Sequence, residues 1–262
     1  MERTKSKIAE IKKNGYDLNF DPTFSFAFNL YHKIALNAGL VMLMLGIAVF
    51  IIVMVIIFSV IGIDNLSHPA NRFDPNNLTG LYLVLYIFGT AIYTAIIGVL
   101  SAGILKMVHC ADIKEDFSIG TAFDYFNSKY FKELFLGLAL LTIVSATQST
   151  LFSMLGVEFI GIIISIILAI LTSIVIPLIV FGNLKAIDAI FGSIIVISKN
   201  FLMVFVLIIV AYILSLAGII ACGVGMFFTI PFISAMHYSI YVHSVGVEKN
   251  NSETLEIPQS EH

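Results

Sequence analysis

Six stretches of this chain, residues 39–63, 81–105, 134–155, 159–181, 201–221 and 224–243, carry no Asp, Glu, Lys or Arg. A run of about 20 apolar residues is long enough to cross the ~30 Å hydrocarbon core as a helix. In lipid only a helix or a closed barrel satisfies every backbone N–H and C=O internally, and these runs lack the alternation of barrel strands. The chain is 59% hydrophobic and 12% charged, whereas a soluble domain is about 25% charged. The fold class is therefore all-α: a polytopic membrane bundle of six transmembrane helices spanning residues 21–246. Residues 1–20 precede it as a basic, solvated tail with room for a short helix around Ile8 and Ile11, and contact to anionic headgroups is the alternative. Residues 247–262 follow as a polar, disordered tail. The first 20 residues have no apolar core of the kind a secretory signal needs, so the chain is read as uncleaved.

Between the spans lie three amphipathic stretches too charged to cross. Asp21 and Pro22 suit a helix start, and Phe24, Ala27, Phe28, Tyr31 and Ile34 then share a face. Ile119, Ala122, Phe123, Phe126 and Tyr130 do the same over residues 118–130. Ala186, Ala189, Ile190, Ser193, Ile194 and Ile197 do so over residues 183–200, with Asn183 as the expected cap and Lys185 and Asp188 on the solvated side. Each reads as an interfacial helix followed by an apolar hairpin. The plan recurs three times and forms a weak threefold internal repeat. Of the 14 basic residues, only Arg72 falls on the far side of a six-span topology. The excess of Lys and Arg marks the near side, with both termini and all three interfacial helices, as cytoplasmic.

Two sets of small or polar residues inside the spans are candidate sites. Thr142, Ser145, Gln148 and Ser149 share one face of the third span, and Ser165 and Thr172 of the fourth are expected to face them. Such groups turn inward for hydrogen bonds. Packing is the simpler reading of this cluster and a ligand site the sharper one. Thr90, Thr94, Gly98 and Ala102 recur every four residues in the second span and make a ridge that admits a close helix neighbour. That neighbour belongs either to this chain or to a partner.

Catalytic patterns are missing from the sequence. His32, His68, His109, His237, His243 and His262 form no zinc motif, and there is no nucleophile elbow, P-loop or dinucleotide fingerprint. Cys110 and Cys222 fall at opposite ends of the bundle, so no disulfide joins them. No cofactor and no metal is implied. Nothing resembles a nucleic-acid-binding stripe.

Residues 177–200 read PLIVFGNLKAIDAIFGSIIVISKN, and GIIACGVGMFFTIPF and AMHYSIYVHSVG follow. With Ala189, Ser193, Gly225, Pro231 and Tyr241 in it, this pattern resembles bacterial polytopic membrane proteins of unknown function. It is similar to the membrane domain attached to some glycerophosphodiester phosphodiesterases. The resemblance implies a six-helix module in the bacterial inner membrane and carries over no catalytic residue. The expected role is non-enzymatic: membrane organisation, or binding and transport of a lipid-like or hydrophobic compound, with membrane lipids as partners. The alternative is an accessory subunit packed against another membrane protein or a second copy. A membrane enzyme of unknown chemistry ranks third.

Overall fold

The computed structural model describes residues 1–61, 81–220 and 225–247. Within them the regular elements are all helical. They are α1 (Glu2–Asn14), α2 (Phe20–Ile61), α3 (Leu81–Ile113), a 3-10 segment (Ile119–Asn127), α4 (Phe131–Met154), α5 (Glu158–Leu171), α6 (Val175–Val180), α7 (Ala186–Lys199), α8 (Phe201–Ala217), a 3-10 turn (Gly218–Ile220), α9 (Gly225–Thr229) and α10 (Pro231–Ser244). Among the described residues five stretches are long and apolar enough to cross a membrane: Phe20–Ile51, Ile87–Ile113, Phe131–Met154, Glu158–Val180 and Gly225–Ser244. The pair α7 and α8, bent by 102°, makes a sixth if counted as one. Expectations for residues 64–80 with His68 and Arg72, for Cys222, and for the tail beyond Val247 with His262 fall outside the described residues.

The N-terminal stretch forms a helix around Ile8 and Ile11, as expected, but this helix is docked and is not a solvated tail. Ile8 and Ile11 of α1 are buried against the body, and removing each from water contributes about 1.5–3 kcal/mol. Gly15, at φ 73°, ends the helix.

The first amphipathic stretch is not a separate element. It runs without a break into the first span as α2, 42 residues long, which at ~1.5 Å per residue is roughly twice the bilayer core. The reason lies in its buried stripe: Thr23, Ala27, Leu30, Ile34, Ala38 and Val41 continue at helical spacing straight through the expected boundary. Gly39 does not break the helix. Together with Gly46 it leaves room for the rings of Phe228 and Phe227 from α9.

The second span also runs further than the apolar run implies. Met107, Val108, Cys110 and Ala111 are buried, so α3 continues through Lys106 to Ile113. Lys33 of α2 donates to the Ala111 carbonyl at 3.2 Å, a cation at a helix C-terminus where the dipole favours it.

The second amphipathic stretch is a 3-10 helix, with three residues per turn. That period brings Ala122 and Tyr125 inward and leaves Phe123 and Phe126 exposed, correcting the face expected from α-helical spacing. Gly103 of α3 lets this segment approach, because a Cβ there would meet the Ala122 backbone.

The third amphipathic stretch is α7, a helix of its own. Ala186, Ala189, Gly192, Ser193, Val196 and Ile197 are buried, while Ile190 and Ile194 are half-buried. Its first turn is satisfied from outside: Glu133 of α4 accepts from the Ala186 N–H at 2.8 Å. Asn183, the expected cap, instead adopts φ 52° and accepts from the Tyr130 hydroxyl.

The fourth span breaks before α6. Pro177 cannot tolerate a helical carbonyl four residues back, at Ser173, and residues 172–174 leave the helix there. Pro231 similarly opens α10 after α9. Reciprocal bonds clasp α8 to α9: Ser215 Oγ donates to the Thr229 carbonyl at 3.2 Å, and Thr229 Oγ1 to the Ser215 carbonyl at 2.6 Å.

The buried core is concentrated at one end of the bundle, where α1, α6, α7 and the C-terminal turns of α3 and α10 meet. Toward the other end the outward faces stay apolar and uncovered, as at Phe50, Val55, Met154, Leu155, Phe159 and Ile162. Such surface suits a hydrocarbon solvent and is costly in water.

Candidate functional site

The polar face of α4 acts as a clasp on α5. Gln148 Nε2 donates to the Gly161 carbonyl at 3.0 Å, and its Oε1 accepts from Ser165 Oγ at 2.9 Å. Gly161 allows this approach, packing its backbone against Phe152. Thr142 bonds its own helix at the Leu138 carbonyl, 2.9 Å away, and Thr172 does likewise at Leu168, 2.8 Å away. Ser145 is half-buried and Ser149 exposed. The four residues share a face, but only Gln148 is seen bonding across to α5.

The ridge on α3 is largely spent inside the chain. Leu138 of α4 covers Gly98, and Ala102 is fully buried. Thr90 bonds the Ile87 carbonyl at 2.9 Å, and Thr94 is exposed.

A polar cluster that the sequence reading did not single out joins α3 to α10. Tyr238 donates its hydroxyl proton to Asp112 Oδ2 at 2.8 Å. Its oxygen also lies 2.8 Å from His109 Nδ1. Since the phenol proton is committed to the carboxylate, the imidazole must donate at Nδ1. The rings of Phe181 and Phe26 flank Tyr238, with centroids 5.5 and 6.4 Å away. Beside it, Ser239 donates to the Thr23 carbonyl of α2 at 2.6 Å. The arrangement pins α2, α3 and α10 together and contains no activated nucleophile. His109 and Asp112 are one helical turn apart, which is the usable signal. It was hidden because residues 106–117 lie beyond the charge-free second span and before the amphipathic stretch that follows it.

A concave feature with mixed chemistry lies between α1 and α7. It is a groove of about 250 Å³. Ile8, Leu184, Gly192 and Ile195 form its apolar floor, and Phe191, 62% exposed, forms one wall. Lys5 and Lys12 stand on its rim. Gly192 keeps this contact close: a Cβ would come within 2.9 Å of Ile8 Cδ1, the end of a side chain that can shift aside. Lys5 pairs with Asp188 at 2.7 Å, both about two-fifths exposed, so the pair contributes about 0–1 kcal/mol and serves mainly to register the helices. Asp188, expected on a solvated face, is in fact this contact. Nearby, the Tyr16 hydroxyl is buried without a partner among the described residues, and burial pushes its phenol up to about 12. Burial likewise raises the Tyr125 phenol on the 3-10 segment. Among the described residues, no group of three or more His, Cys, Asp or Glu side chains comes together to hold a metal.

Comparison with known protein families, with curated proteins and with solved structures finds no match to this chain.

Proposed function

We propose that the chain is an integral protein of the bacterial inner membrane with both termini cytoplasmic, and that its role is to bind a lipid-like or hydrophobic compound at the inner leaflet. The observation that carries this reading is the α1–α7 groove, an apolar floor under a lysine rim. Such a combination suits a molecule with an apolar body and a polar end. Three further features support it. The axis of α7 turns 102° from that of α8, so if α8 crosses the bilayer, α7 lies close to its plane. Ile187 and Phe191, one turn apart on α7, expose 56% and 62% of their surface, as a helix dipping into acyl chains would. The distribution of Lys and Arg favours the same side. The resemblance of residues 177–245 to a bacterial membrane module agrees with this reading and adds no activity. The role is non-enzymatic.

Full-length protein extracted in mild detergent should retain lipid visible by native mass spectrometry. In reconstituted vesicles it should also speed exchange of a lipid or dye above the empty-vesicle rate if binding is part of transport. Retention without exchange favours binding or membrane organisation. The absence of both retention and exchange would contradict the reading.

A further inference from the structure

We infer that the groove between α1 and α7 is a site for a single anionic phospholipid; this rests on the lipid-binding reading above and names the headgroup chemistry. The argument is one of charge. Helix α1 carries Arg3, Lys5, Lys7, Lys12 and Lys13 against Glu2 and Glu10. The acids nearest the groove are already committed: Glu10 pairs with Lys7 at 3.1 Å, and Asp188 of α7 pairs with Lys5 at 2.7 Å. Lys12, exposed on the groove rim, has no carboxylate partner among the described residues. The rim thus presents a surplus of positive charge directly above apolar surface. A neutral lipid would leave that charge uncompensated, and a soluble anion would leave Phe191 and Ile195 uncovered. An anionic phospholipid satisfies both, with its phosphate at Lys12 and the upper part of one acyl chain along Phe191 and Ile195. The groove's volume of about 250 Å³ is small for a whole ligand pocket, which fits a lipid whose remaining length stays in the bilayer.

The test uses full-length protein in nanodiscs of phosphatidylcholine with a minority of phosphatidylglycerol, reading the bound lipid by native mass spectrometry. Phosphatidylglycerol should be enriched over its share of the disc. Lys12→Glu should lower that enrichment by about tenfold, on the scale of the attraction between one basic side chain and an anionic membrane. Ala9→Phe, on the exposed side of α1 where it lines the groove, should abolish it by filling the space. Lys114→Glu, on an exposed turn after α3, should leave it unchanged. Equal retention of both lipids, lost in Ala9→Phe, would overturn the headgroup assignment and leave the lipid-binding reading standing. Displacement by inorganic phosphate at matched ionic strength would assign the site to a free anion and overturn it. Retention of neither lipid would overturn both.

Discussion

At the scale of single residues, the sharpest constraints come from glycines and from one orphaned hydroxyl. A Cβ at Gly103 would strike the Ala122 backbone, and backbone cannot swing away as a side-chain end can. Gly103→Ala should therefore cost about 1–3 kcal/mol and lower the thermal midpoint in detergent. Gly89, in the same helix, has open space around it, so Gly89→Ala should be neutral or stabilising by up to about 1 kcal/mol. The opposite signs check the α3 packing independently of any general dislike of mutation in the helix. At Tyr16 the buried hydroxyl has no partner among the described residues, so Tyr16→Phe should be neutral or stabilise by about 1 kcal/mol. Its phenol is raised from 10.0 to about 12. The folded chain thus keeps a proton that the unfolded chain releases. The associated stability is fully present below pH 10.0 and is lost as pH rises toward about 12. Unfolding curves recorded below and above pH 10.0 should show a smaller alkaline loss in Tyr16→Phe than in the parent chain.

At the scale of elements, the interhelical clasp at Gln148 is the most measurable. A double-mutant cycle on Gln148→Leu and Ser165→Ala should return a coupling of about 0.6–1.7 kcal/mol, since Ser165 donates directly to Gln148 Oε1. A value near zero would mean the two helices do not pack in this register. The Gln148–Ser165 contact was legible from sequence because polar residues in an apolar run have few places to go. The helical character and five of the expected spans were legible for the same reason: apolar runs of that length satisfy their backbone in lipid as helices. Boundaries were not. The change from charged to uncharged residues near Gly39 marks where solvent changes, and a helix has no reason to stop there while its buried stripe continues from Thr23 to Val41. The 3-10 segment escaped because three-residue and 3.6-residue periods differ little over so few residues; only the inward turn of Tyr125 separates them. The His109–Tyr238–Asp112 cluster joins positions far apart in the chain, and no local pattern brings them together. The docking of α1 escaped because two isoleucines among many charges, Ile8 and Ile11, look like a solvated stretch until α7 is there to cover them.

At the scale of the whole molecule, the packing is asymmetric. One end is a closed core in which α1, α6, α7, α10 and the end of α3 interlock, and the other presents apolar helix faces such as Met154, Leu155 and Phe159. On the proposed reading the first end sits at the cytoplasmic leaflet and the second within the acyl chains and toward the outer face. The bent pair α7 and α8 decides this arrangement. Counted as a crossing, it gives six spans and returns the chain to its starting side; otherwise five remain and the ends part. The most direct measurement is labelling with a membrane-impermeant maleimide in a Cys110→Ser, Cys222→Ser background, with single cysteines introduced by Lys13→Cys, Val157→Cys, Lys185→Cys and Val247→Cys. Val157→Cys should react in intact cells, and the other three only after the membrane is opened. Reaction of Val247→Cys from the same side as Val157→Cys would contradict this arrangement.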